Sequence, residues 1–159
     1  MKINLEKLSK FLCEANKFGY AGSSKEVKPQ RKGFTELEYK SGDWYFRDSY
    51  AGHYFAPGQE VVYYKNKPVW AMAYAGGMKF KYHGDKNLDG QIFEFLKKAL
   101  LAMDPKKPFR GPAQFKEKDW VYKSSVKGDV RDFSGNEKIS RKGQVVFEQN
   151  FIGGLIVEK

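Results

Sequence analysis

Cysteine, histidine and unbroken apolar runs are nearly missing from this chain. Its 159 residues include one cysteine, Cys13, and two histidines, His53 and His83. One thiol cannot form an internal disulfide, and these three side chains cannot be assembled into a zinc-ligand spacing, so a disulfide frame and a structural metal are both excluded. No stretch approaches the roughly 20 apolar residues of a membrane helix. The charged opening Met1-Lys2-Ile3-Asn4-Leu5-Glu6-Lys7 interrupts the apolar segment that a secretory signal requires. A soluble, cytoplasmic protein is expected, without contact with a membrane. Glycine-rich phosphate cradles are also absent: no G-x-G-x-x-G leads from a strand into a helix, and no phosphate-loop lysine is present. Ser49 and Ser125 have no fixed base beside them, and the two histidines fall in a turn and a loop, so no nucleophile triad can be built. No cofactor is implied.

Aromatic residues are what the chain has in quantity. Thirteen Phe, ten Tyr and three Trp make up 16% of it, enough large side chains to fill a core or line a pocket. The length suits one domain that buries a core without covalent staples. The net charge of +10 raises the prospect of nucleic acid or another anion as partner. Its distribution argues against that. Residues 1–78 carry twelve basic and eight acidic side chains and residues 79–159 seventeen and eleven, so there is no dense basic block. Nucleic-acid binding is therefore an alternative, behind a solvated basic surface.

The chain resembles itself. Residues 43–77 align with 119–154 once a single residue is inserted. Asp43-Trp44 answers Asp119-Trp120, Ser49 answers Ser125 and Gly52 answers Gly128 at a spacing of 76. Then Gly58 meets Gly135, Glu60 meets Glu137, Lys65 meets Lys142, Val69 meets Val146 and Gly76-Gly77 meets Gly153-Gly154 at 77. Chance would supply roughly two of these ten identities. Each copy is preceded by an amphipathic helix. In the first, Leu5, Leu8, Leu12 and Ala15 recur at helical spacing behind Asn4 as N-cap. In the second, Ile92, Phe93, Leu96, Ala99, Leu100 and Met103 share a face between Asp89-Gly90 and Asp104-Pro105. Three strands follow each helix: Trp44 to Tyr50, Glu60 to Tyr64 and Val69 to Tyr74, then Trp120 to Val126, Glu137 to Arg141 and Val145 to Phe151. The expected fold is α+β, one domain made of two αβββ units, 1–78 and 79–159. Each unit is a helix with a three-stranded antiparallel meander, and the two are related by a pseudo-twofold axis. Copy one carries about twelve extra residues within Gly19 to Gly42, polar in character, read as a surface loop or a lid over a site.

Several stretches carry a family likeness: Phe11-Leu12-Cys13-Glu14-Ala15, Leu37-Glu38-Tyr39-Lys40 with Gly42-Asp43-Trp44, Pro68-Val69-Trp70-Ala71-Met72, and Pro108-Phe109-Arg110-Gly111-Pro112. In this order they resemble the bacterial and archaeal domain-of-unknown-function 5680 family, over essentially the whole chain. Members of that family stand alone or follow a helix-turn-helix DNA-binding domain, which implies by analogy a ligand-sensing or interaction role. The helix-turn-helix part is not expected within these 159 residues. It also has Ile152 where the family commonly has a His before the glycine pair, here Gly153-Gly154.

Arg110 is the first candidate site residue. It sits in a rigid connection between Phe109 and Gly111-Pro112, where a guanidinium can grip a carboxylate or phosphate, and copy one has no counterpart. The aromatics Trp44, Tyr50, Tyr63, Trp70 and Tyr74 crowd copy one, and of these Tyr50, Trp70 and Tyr74 are assigned to a pocket wall able to stack a planar ligand. Glu60 and Glu137 hold equivalent positions. A symmetry axis that joined them would make an acid/base pair, while the plainer reading has each accepting hydrogen bonds from its own turn. The expected activity is binding of an anionic or planar small molecule, such as a nucleotide or metabolite, at Arg110, Tyr50, Trp70, Tyr74 and Glu60. An enzyme using Glu60 or Glu137 is the alternative. Cys13 reads as a small buried hydrophobe.

Overall fold

The computed structural model describes residues 3–20 and 25–157. The first helix, α1 (Leu5–Tyr20), forms where the leucine stripe places it. Asn4 caps it, its Oδ1 accepting from the Lys7 amide at 3.0 Å. The second, α2 (Lys86–Leu101), starts a turn earlier than the sequence suggests. Its cap is Asp85, whose side chain accepts from the Leu88 amide at 2.9 Å, and this draws the buried Leu88 into the apolar face ahead of Ile92. Gly90 thus lies inside the helix.

Among the described residues nine strands make one continuous sheet. They are β1 (Lys25–Val27), β2 (Thr35–Ser41), β3 (Trp44–Tyr50), β4 (Gly58–Tyr64), β5 (Lys67–Met78), β6 (Gln114–Glu117), β7 (Trp120–Asp129), β8 (Asp132–Arg141) and β9 (Gln144–Leu155). All pairs are antiparallel, in the order β1-β2-β3-β4-β5-β9-β8-β7-β6. Three strands per helix is therefore an undercount, because β2 and β6 precede each meander and β1 adds an edge. The polar segment from Gly19 to Gly42 is not a single loop: it holds β1 and β2, joined by a connection over 28–34, and 21–24 lie outside the described residues. β2 was hidden by its composition. Its sequence Thr-Glu-Leu-Glu-Tyr-Lys-Ser alternates, but with Leu37 and Tyr39 as its apolar members the period-2 signal is easily read as a polar linker.

Tight turns set the register. Lys65 and Asn66 (φ 52° and 62°), like Lys142 and Gly143 (φ 48° and 78°), occupy the left-handed region that a two-residue hairpin demands. The two longest strands, β5 and β9, then meet at the sheet centre from Trp70 opposite Leu155 to Met78 opposite Phe147. At Gly76 a methyl group would run into the Gln149 Cα and the Glu148 carbonyl. Gly76→Ala is expected to cost about 2–3 kcal/mol by forcing these strands apart, a loss visible as an earlier urea midpoint. An unchanged midpoint would mean that the pair is more yielding than its spacing implies.

Both helices cover the same face. Leu8, Phe11, Leu12 and Ala15 of α1 pack with Phe46, Val62, Trp70 and Met72, whereas Leu88, Ile92, Phe95, Leu96 and Ala99 of α2 pack with Tyr122, Ile139, Val146 and Phe147. Among the described residues no helix is long and apolar enough to cross a membrane. Between the two apolar clusters the same sheet face turns polar.

Candidate functional site

Strand register assembles that polar strip. On the helix-covered face, Asp48 of β3, Glu60 of β4 and Met72 of β5 are consecutive cross-strand neighbours. Gly76 of β5, Gln149 of β9 and Glu137 of β8 form a second row. Between them runs Tyr50, Gly58, Tyr74, Phe151 and Gly135. Gly58 is small because the Tyr74 ring lies over it, and Phe151 covers Gly135 in the same way.

Arg110 descends into this strip from the connection after α2. Phe109 anchors it, its ring tilted against Phe133 at 4.4 Å between ring centres, and the Gly111 amide donates to the Tyr122 hydroxyl at 3.0 Å. The guanidinium donates through Nε and Nη2 to Glu137 Oε1, at 3.0 and 2.9 Å. Gln149 adds a third bond to that oxygen at 3.0 Å, and the Tyr122 hydroxyl donates to Oε2 at 2.6 Å. Burial, and after it the Glu137 charge, hold the Tyr122 hydroxyl well above its ordinary pKa and hence protonated. Arg110 is 2% exposed and Glu137 0%, so this ion pair is wholly desolvated and depends on its hydrogen bonds.

Two further carboxyls flank the pair. Glu60 Oε1 lies 3.6 Å from Arg110 Nη1, beyond hydrogen-bond length, and neither oxygen of Glu60 has a hydrogen-bond partner among the described residues. Burial raises its pKa to about 8, the neighbouring Asp48 charge pushes the same way, and Arg110 only partly offsets them. Asp48 accepts from the Tyr74 hydroxyl at 2.7 Å. Its pKa rises to about 6 through burial, moderated by Tyr74 and Arg110. Glu60 thus enters neutral solution as the protonated acid and Asp48 largely as the anion.

Above this floor is a cavity of about 590 Å³, walled by the end of α1 near Gly19, by α2 from Asp89 to Lys97, by the 52–56 loop and by the sheet. Tyr50, Tyr74, Phe93 and Phe147 give it aromatic walls, and Asp48, Arg110 and Gln149 its polar ones. At its mouth His53 Nε2 meets Asp89 Oδ2 at 2.8 Å. A comparably large hollow of about 640 Å³ lies on the uncovered face of the sheet. It is an open dish lined by residues such as Ala73, Ala75, Asn150 and Ile152, with no buried charge, and it is not where the chemistry gathers.

Of the residues singled out from sequence, Arg110, Tyr50 and Tyr74 line the cavity and Glu60 lies beside Arg110 but off the wall. Trp70 has to be corrected. It is 0% exposed, its indole N–H donates to the Val130 carbonyl at 3.1 Å, and it stacks on Phe133 at 5.7 Å, so it is a core side chain away from the cavity. The turn-acceptor reading of the two glutamates also fails, since Glu137 bonds Arg110, Tyr122 and Gln149 and Glu60 bonds no turn amide. Asp48, Gln149, Tyr122 and Asp89 were missed. Asp48 had a signal: in Phe46-Arg47-Asp48-Ser49-Tyr50 it falls on the inward set with Phe46 and Tyr50, a charged residue in an apolar alternation. Cys13 is 4% exposed, and burial lifts its thiol to about 11, which makes it a poor nucleophile.

These features belong to a domain type already delimited by sequence. Residues 48–156 match the Domain of unknown function (DUF5680), and since that is most of the chain, the chain belongs to this family. The match begins at Asp48 and so spans Asp48, Glu60, Tyr74, Arg110, Tyr122, Glu137 and Gln149, while α1, β1 and β2 precede it. No curated protein and no solved structure shows detectable similarity to the chain.

Proposed function

We propose that this domain is a cytoplasmic small-molecule-binding module of two diverged αβ copies, and that its ligand site is the cavity beneath α1 and α2. The observation that carries the reading is the wall itself: Asp48, Arg110 and Gln149 are brought from three separate segments to one aromatic-lined hollow of about 590 Å³. Hollows of that size, largely apolar with few fixed polar groups, suit a small ligand. The four aromatic walls favour a planar one. A single buried thiol with nothing to pair with suits a reducing compartment.

Duplication is supported by the ten identities and by a strand order that runs outward from β5 and from β9 through corresponding elements. Under it Glu60 corresponds to Glu137, Asp48 to Ser124 and Met72 to Gln149, so the copies hold different polar groups on one shared floor. A superposition of residues 43–77 on 119–154 that failed to bring Glu60 onto Glu137 would count against it.

Filling the cavity tests the site. Gly90 lies in its wall with open space where a side chain would begin, so Gly90→Phe is expected to fold and occlude the hollow. In a thermal-shift panel of planar metabolites and nucleotides, a ligand at 100 times its Kd should stabilise the wild type by about 2.7 kcal/mol, roughly 5–10 °C for a domain this size. The shift should vanish in Gly90→Phe. A panel without any shift, or a shift that survives the substitution, would refute the assignment.

A further inference from the structure

Resting on the reading of the cavity as a ligand site, we infer that its ligand is an organic cation, an aromatic or planar body bearing an amidinium, guanidinium or ammonium group, and not the anion that Arg110 invites. Arg110 is already matched. Two of its nitrogens bond Glu137, which is fully buried directly behind it, and the third lies 3.6 Å from Glu60. An incoming phosphate or carboxylate would have to displace Glu137 or stand beside it without water to screen the repulsion.

Among the remaining polar groups of the wall, two carboxylates stand out. Asp48 is 3% exposed and gives one oxygen to the Tyr74 hydroxyl. Asp89 is 6% exposed; His53 holds its Oδ2, while its Oδ1 is buried with no hydrogen-bond partner among the described residues. An unsatisfied buried carboxylate oxygen is costly, and a ligand N–H that met it would recover that cost. Gln149 directs its amide nitrogen at Glu137, leaving its carbonyl as the acceptor. At the rim, exposed Lys97 and Glu94 cancel. The cavity therefore pairs two nearly buried carboxylates with the aromatic side chains of Tyr50, Tyr74, Phe93 and Phe147, the combination that suits a planar cation through charge-assisted hydrogen bonds and aromatic contact.

Benzamidine and benzoate share one ring and differ in the sign of their charge, so together they decide the matter. In titrations of the isotopically labelled full chain at pH 7, the backbone amide signals of Gly52, His53 and Gly90 report on the cavity. Benzamidine is expected to shift them to saturation at least about tenfold more tightly than benzoate. Asp89→Asn, with unfolding otherwise like wild type, should lose about tenfold or more of that affinity; if it does not fold, Asp48→Asn serves as the same readout. Benzoate binding as tightly at these amides would overturn the cation assignment while leaving the cavity as a ligand site. Benzamidine binding that ignores the carboxylate variants would overturn it too. If neither compound moves these amides, the cation assignment and the cavity reading fall together.

Discussion

Replacing Glu137 by alanine is expected to lower the stability of the domain by about 3–5 kcal/mol, roughly 6–20 °C in melting temperature. The loss comes less from the bonds removed than from what is left behind. Without Glu137 the guanidinium of Arg110, 2% exposed, loses both short hydrogen bonds, and the Tyr122 hydroxyl and Gln149 amide lose their acceptor inside the core. Glu60, 3.6 Å from the guanidinium, lies beyond hydrogen-bond length and does not reach to replace it. Removing both charges in Arg110→Met with Glu137→Met should restore much of the deficit, because two apolar side chains of similar size leave no buried charge unpaired. Urea unfolding followed by tryptophan fluorescence measures both. A single variant within about 1 kcal/mol of wild type would show that the pair is solvated after all.

Stability should fall as pH rises from 5 to 8, and Glu60→Gln should abolish most of that slope. Glu60 has a folded pKa of about 8 against an ordinary 4.5. Below 4.5 it is protonated in folded and unfolded chains alike and contributes no slope. Between 4.5 and about 8 the unfolded chain ionises first, binds fewer protons than the folded one, and stability drops with each pH step. Asp48 adds to the fall in the same direction, between 3.8 and about 6. The carboxyls held low by cationic neighbours, Glu148 by Lys138 and Lys79 and Asp129 by Arg131, act the opposite way but titrate near pH 2, outside this window. Glu60→Gln keeps the shape and removes the ionisation, so at pH 8 it should be more stable than wild type by on the order of 3 kcal/mol, the gain shrinking toward pH 5. Parallel urea midpoints from pH 5 to 8 decide this, and a wild type that grows more stable toward pH 8, with the variant tracking it, would disprove it.

The consequence for binding is chemical. A protonated Glu60 keeps the floor near neutrality, with Arg110 balanced by Glu137, so the charge that reaches the cavity is that of Asp48 and Asp89. An arginine in a loop between a phenylalanine and a Gly-Pro pair looks like an anion grip only while its partner, 27 residues further along, is out of sight.

Local chemistry alone was enough for the helices, whose apolar stripes and Asn4 cap need only neighbours within a turn, and for the hairpins at Lys65-Asn66 and Lys142-Gly143, where backbone sterics act over two residues. It was enough, too, to mark Arg110, Tyr74, Glu60 and Glu137 as unusual. It did not reveal β1, β2 and β6, whose few apolar positions make a faint alternation, or that β5 and β9 join everything into one sheet. Nor did it separate Tyr74 from Trp70: both are aromatics on the inward face of β5, four residues apart, and only the helix above each decides which meets a cavity and which a core. The meeting of Asp48, Glu60, Arg110, Glu137 and Gln149 belongs to tertiary structure for the same reason. Register across five strands and the path of the chain after α2 place these groups together, and burial then sets their charges, a property that no residue carries in its own short stretch of sequence.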